Sequence, residues 1–347
     1  MDYEVHFHTQ EHTISNNIKQ TQILSKSQIQ DLPKENHIFF NRLDYPKVWS
    51  KEGVFDDDQK TLLLVGGDVD YTIQRHTNPN VLGEFTDVHT IWGDITPKKT
   101  HSWEEDFYRI QRNINDGVYE KSVLDYTYTE KEHLHPSHFF GGLINKFYVE
   151  PETTKEQILH EKVVNNTTPF YIEFTPEEVL FGMTPEHVIH KRGDQVTIEI
   201  LGGTKLKKQR WPEDKIFEHE VIVDDLIERI KPHVKDIHYS TNHTKYVGYT
   251  HHLQSNIKFT FGGTHDELIR LIHPTLAIKS DYNDRGYFGG LWGWEKDNDM
   301  DLYLTIRCGY YKDRTYQFRV GCGITKHSKL NEEWKEVKTK LKWLTLT

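Results

Sequence analysis

Cysteine is scarce in this chain: Cys308 and Cys322 are the two thiols among 347 residues. That number excludes a disulfide-stapled scaffold and fits a reducing compartment. No run of eighteen apolar residues occurs, and the mean hydropathy is −0.73, so no membrane-spanning helix is expected. The opening residues, Met1-Asp2-Tyr3-Glu4, lack the basic and apolar segments of a secretory leader, and a cytoplasmic location is expected. Lysine and arginine are nowhere massed in a block, and the formal net charge is −10. Without a basic patch to track phosphates, nucleic acid is not expected as a partner. Internal repeats, low-complexity stretches, Pro/Ser-rich linkers, and phosphate-loop or dinucleotide fingerprints are all missing, which sets aside solenoid and nucleotide-cradling folds.

Chemistry concentrates toward the C-terminus. Thr305-Ile306-Arg307-Cys308 reads as a strand carrying one arginine. Gly321-Cys322-Gly323-Ile324 reads as a strand ending in a glycine-flanked turn, and Glu333-Trp334-Lys335-Glu336, with Lys340 behind it, as an acidic helix. Carboxylates three residues apart fall on one helix face. An arginine on an apolar strand needs a planar anionic partner, since an unpaired buried charge is costly. Together with free backbone N–H groups, these features suit a small anionic ligand. The overall negative field repels such a ligand, so local cations must hold it.

The rest of the chain reads as mixed structure. Thr61–Val65 looks like a buried strand before Gly66-Gly67. Ser102 to Ile114 reads as a helix with Ser102 as N-cap, and Thr153 to His160 as a short one. Ser122–Tyr128 reads as a strand. Phe170–Phe174, Val179–Met183, His187–Lys191 and Gln195–Leu201 read as an antiparallel meander. Glu213–Ile230 is an amphipathic helix, with Phe217, Val221, Leu226 and Ile230 in its stripe. Strands return at 300–307 and 315–322, and a last helix starts near Asn331. His133, His135 and His138, like His6 and His8, have metal-like spacing, but chance clustering among 22 histidines accounts for them.

Eight short motifs then fall in a familiar order: Gly182-Met183-Thr184-Pro185-Glu186, Gly202-Gly203-Thr204, Glu218-His219, His273-Pro274-Thr275, Arg285-Gly286-Tyr287-Phe288-Gly289-Gly290, Ile306-Arg307-Cys308, Gly321-Cys322-Gly323-Ile324 and Glu333-Trp334-Lys335-Glu336. The chain resembles the chorismate-utilising enzymes: anthranilate, aminodeoxychorismate, isochorismate and salicylate synthases. The likeness covers roughly 105–345, with 1–104 as a shortened N-terminal part of one domain spanning 1–347. It implies an α+β, two-lobed fold, with antiparallel sheets packed face to face, flanked by helices, and an active site between the lobes.

The resemblance also implies roles. Glu218 and Glu333 would hold Mg²⁺, with Glu336 as a direct or water-bridged contact; all-oxygen ligands suit that hard cation. Arg307 and the backbone of Gly321 to Gly323 would take the pyruvyl carboxylate of chorismate. Gly203 and Thr204 would meet a substrate carboxylate, and His252 and Phe288 would line the pocket. Lys121 aligns with the base of isochorismate and salicylate synthases, where ammonia-using relatives carry glutamine. Glu186 would be the general acid, needing a raised pKa to keep its proton near neutrality.

Three departures from the family pattern stand out. The acidic residue usual three positions before the Glu of Glu-His is here Lys215, flanked by Asp214. The segment from His273 to Arg285 is shortened, and Asp125-Tyr126 replaces a usual Ser-Arg. Isochorismate synthase is the leading expectation, with no obligatory glutaminase subunit. Salicylate synthase, anthranilate synthase large subunit and an inactive chorismate-binding homologue are the alternatives.

Overall fold

A computed structural model describes residues 97–131, 134–148, 167–175, 177–205, 210–247, 250–276 and 286–343, together with the backbone of short strands nearer the N-terminus. Those strands are β1 (Tyr3–His8), β2 (Thr13–Ile18), β3 (Gln20–Leu24), β4 (His37–Asn41) and β5 (Thr61–Val65). The expected helix at Thr153–His160, His133, the 277–285 segment and the side chains of His6, His8 and His273 lie outside the described residues.

Helix α1 (His101–Asn115) is capped by Thr100, not Ser102: the Thr100 Oγ1 accepts from the Trp103 N–H at 3.2 Å. Capping works two residues earlier because Thr100 has the extended backbone that an N-cap requires. After α1 come β6 (Lys121–Lys131), α2 (Pro136–Tyr148), β7 (Thr168–Thr175), β8 (Glu178–Thr184), β9 (His187–Arg192) and β10 (Gln195–Lys205). Next are α3 (Glu213–Ile230), β11 (Lys235–Val247), β12 (Thr250–Thr260) and α4 (His265–Leu276). β13 (Leu291–Lys296), β14 (Asp299–Leu304), β15 (Cys308–Lys312), β16 (Thr315–Thr325) and α5 (Leu330–Trp343) complete the described chain.

Among the described residues these strands form two antiparallel sheets. One runs β2-β1-β7-β8-β15-β16-β6 and the other β11-β12-β10-β9-β14-β13-β4-β5-β3. The apolar stripe of α1 (Trp103, Phe107, Ile110, Ile114) packs with α2 and α5 onto the first sheet, against Phe181, Tyr316 and Phe318. Helices α3 and α4 cover the second sheet through Ile222, Val223, Leu226, Leu268 and Ile272. The uncovered faces meet each other, with Phe170 of β7 and Trp292 of β13 at 4.6 Å between ring centroids. This is the expected α+β architecture of face-to-face antiparallel sheets flanked by helices.

Three local readings change. The meander from 169 to 201 is two hairpins in different sheets: β7 pairs with β8 in the first, β9 with β10 in the second. Alternation along each strand is identical in both arrangements, so the pattern cannot report the switch at Pro185-Glu186. Arg307 does not lie on a strand: β14 ends at Leu304, and Arg307 sits in a bend with φ +52°. Gly321 and Gly323 lie inside β16, opposite Asp125 and Val123 of β6, rather than in a turn.

Candidate active site

Two of the chain's passages between the sheets each carry a site residue. Thr184-Pro185-Glu186-His187 leads from the first sheet to the second, and Thr305-Ile306-Arg307 leads back. The two passages are stitched together. Met183 N donates to Arg307 O (3.1 Å), Leu304 N to Glu186 O (3.1 Å) and Thr184 Oγ1 to Leu304 O (2.6 Å). A side chain at Gly182 would put its Cβ 2.5 Å from Arg307 O, so glycine is what lets the passages close.

A cavity of about 880 Å³, its open mouth included, lies beside this junction. Its walls bring together Lys121, Glu186, Gly203, Thr204, Glu218, His252, Phe288, Arg307, Gly321 and Gly323, all expected from the sequence. Glu333 and Glu336 sit behind the Glu218 wall rather than on it. Lys340 also lines the cavity. Its one sequence signal is the four-residue spacing from Glu336, which it contacts at 2.6 Å.

Arg307 is 4 % exposed. Its Nη2 reaches Thr250 Oγ1 and His252 Nε2, each at 3.3 Å, while its Nη1 has no partner among the described residues. Burial lowers its pKa to about 10, so it is charged at neutral pH. A buried guanidinium with a free donor facing a cavity is a receptor for an anion. His252 is kept neutral, its pKa well below normal through burial and the Arg307 charge. Lys340 Nζ donates to Gly321 O at 2.7 Å. β16 pairs with β15 only as far as Arg319. Beyond it, one edge of Val320–Thr325 is without a strand partner among the described residues.

Glu186 is the proton donor candidate. Its carboxyl accepts from Leu201 N at 3.1 Å and is otherwise enclosed. Burial first, and the nearby Glu199 charge second among the raising influences, push its pKa up to about 8. Lys245 fixes the turn beneath it by donating to Pro185 O (2.7 Å) and pairing with Glu199 (2.6 Å). Lys121 is buried, donating to Glu218 O at 3.1 Å and pairing with Glu218 Oε1 at 3.2 Å.

The carboxylates expected to hold Mg²⁺ do converge, but around an ammonium. Lys215 Nζ lies 3.1 Å from Glu218 Oε2, 3.2 Å from Glu333 Oε1 and 3.3 Å from Glu336 Oε2. Burial opposes its charge, yet Glu218, Glu336 and Glu333 hold its pKa far above the ordinary lysine range. Glu333 is pushed up to about 7 by burial and then by Glu336. Glu336 is held low against burial by Lys340 and Lys215. Of the six carboxylate oxygens, only Glu333 Oε2 is without a partner. With Lys215 in place, these residues do not fit a divalent cation. A separate cluster, His187, His190 and Asp301, is met internally, since Arg192 takes the second Asp301 oxygen at 2.5 Å.

This fold and pocket define a class, and the chain belongs to the chorismate binding enzyme family, whose model matches residues 93–346. It is 26% identical to isochorismate synthase DhbC of Bacillus subtilis, over 49% of this chain and 50% of that one. It is 24% identical to anthranilate synthase component 1 of Neisseria meningitidis, over 49% of this chain and 41% of that one. The chain thus spans about half the length of the curated relatives it matches. Among solved structures, its fold resembles a Bacillus anthracis protein described as a 2,3-dihydroxybenzoate-specific isochorismate synthase. That match has a TM-score of 0.72 and 17% identity, covering 99% of this chain and 95% of the other. Escherichia coli MenF gives 0.71 and 15%, covering 99% and 87%.

Proposed function

We propose that this chain converts chorismate to isochorismate. The observation that carries the reading is Lys121, an amine rather than an amide, on the wall of the same cavity as the proton-holding Glu186. The free Nη1 of Arg307 and the Lys340 ammonium supply the local cations that an anionic substrate requires on a protein of net charge −10. Chorismate would lay its pyruvyl carboxylate on Arg307. Lys121 would take a proton from a water attacking C2. The ring double bonds shift, and the C4 hydroxyl leaves as water on the proton from Glu186. One water enters and one departs, so substrate and product are isomers. As the base in this step Lys121 takes part in its neutral, amine form. The addition needs no ammonia and hence no glutaminase partner.

Incubating the purified chain with chorismate in Mg²⁺-containing buffer without ammonium, and separating the products, tests this. Isochorismate is expected, and K121Q should lower its formation by about a hundredfold or more while leaving substrate binding intact. Salicylate with pyruvate, or anthranilate on adding ammonium, would sink the assignment in favour of a sister reaction.

A further inference from the structure

We propose that Lys215 is the resident cation of this site, its ammonium standing among Glu218, Glu333 and Glu336 where a divalent ion would otherwise bind. The pocket then holds its anionic ligand without a bound divalent metal. The inference rests on the chorismate reading only for the expectation of a metal; the geometry stands by itself.

Five of the six carboxylate oxygens are already taken by ammonium groups. Lys121 holds Glu218 Oε1, Lys215 holds Glu218 Oε2, Glu333 Oε1 and Glu336 Oε2, and Lys340 holds Glu336 Oε1. Three carboxyl groups therefore face three amine side chains within a buried cluster. A divalent ion added there would meet a compensated set of carboxylates and an ammonium at close range. The cage also has the wrong size. Its oxygens stand 3.1–3.3 Å from the Lys215 nitrogen, which suits an ammonium and is wide of the ~2.1 Å that Mg²⁺ demands.

Local structure fixes Lys215 in this role. It occupies the first turn of α3, where its N–H donates to Pro212 O at 3.1 Å. That turn sits directly on Gly203 of β10, whose added Cβ would come 2.5 Å from Lys215 O. One turn further along the same helix face, Glu218 projects into the same cluster. The order Asp214-Lys215, in place of an acidic residue three before Glu218, is the sequence trace of this charge reversal. Lys215 does not line the cavity. It is a positioning residue that neutralises the wall behind Glu218.

Titrating Mn²⁺ into the substrate-free chain, with the free ion followed by electron paramagnetic resonance, tests this, because Mn²⁺ takes the same oxygen ligands as Mg²⁺. The wild type should show no stoichiometric site, and its melting temperature should be unchanged by Mg²⁺ or EDTA. K215Q, which keeps the length and removes the charge, should bind Mn²⁺ at least about tenfold more tightly. One tight Mn²⁺ per wild-type chain, abolished in E333Q, would overturn the proposal. So would turnover that EDTA destroys and Mg²⁺ restores. The wild-type titration decides even if K215Q does not fold. Because it uses no substrate, it also decides whether or not isochorismate is formed.

Discussion

Glu186 shows how one residue couples chemistry to stability. Its folded pKa, raised to about 8, lies above the ordinary carboxyl value, so the native state binds more protons than the unfolded chain between those two points. Stability therefore falls as pH rises through that window. Activity that needs the protonated acid should fall as pH passes about 8. E186Q should lose about a hundredfold or more in kcat, show no such alkaline limb and unfold less readily than wild type near the top of the window. Paired pH profiles of rate and denaturant midpoint check both halves. A flat wild-type stability profile would show that burial does not set this proton. The sequence names Glu186 through Thr184-Pro185-Glu186, but its enclosure comes from residues far along the chain, such as Leu201 and Lys245.

At the scale of elements, the site depends on how α3 meets β10. Gly202 and Gly203 let the helix lie on the strand: added Cβ atoms there would come 2.7 Å from His219 Nδ1 and 2.5 Å from Lys215 O. Gly203 also has φ +54°, which favours glycine. G203A should therefore cost about 2–4 kcal/mol through backbone strain and the forced displacement of the helix. Denaturant melts would read this as a lowered midpoint, and an unchanged midpoint would mean that α3 can lift freely. The helix itself was legible, since its bounds fall at Glu213–Ile230; of its expected stripe Leu226 and Ile230 are buried, while Phe217 and Val221 are half-buried and Ile222 and Val223 fill the core beside them. Strands β8, β9 and β10 were legible for the same periodic reason. The cap at Thr100 and the bend at Arg307 were not, because both depend on single backbone angles that side-chain periodicity does not encode.

For the whole molecule, the two sheets must stay in register for Glu186 and Arg307 to face one cavity. Trp292 is central to that contact, stacked on Tyr303 at 4.8 Å and meeting the tilted Phe170 ring at 4.6 Å. W292A should cost about 3–5 kcal/mol, as for other large buried aromatics cut to alanine. It should also weaken anion binding at Arg307, some distance along the chain from the substitution. Calorimetric melting and ligand titration measure the two effects. Lost stability with unaltered affinity would show that the passages between the sheets hold their own geometry.

The sequence by itself determined the mixed class, the strands and helices with strong periodicity, and the family to which the motifs belong. It also named ten of the residues that line the cavity, from Lys121 and Glu186 to Arg307 and Gly323, because the short motifs that carry them stand in a fixed order along the chain. Only the tertiary structure decided which sheet each hairpin joins, that Arg307 bends rather than extends, and that Lys215 stands among three carboxylates. Those outcomes depend on contacts between residues separated by a hundred positions or more, such as Lys215 with Glu333 and Met183 with Arg307. Charge and spacing along a chain are local quantities. The field inside a buried cluster is not, and it is set only once the sheets have closed over it.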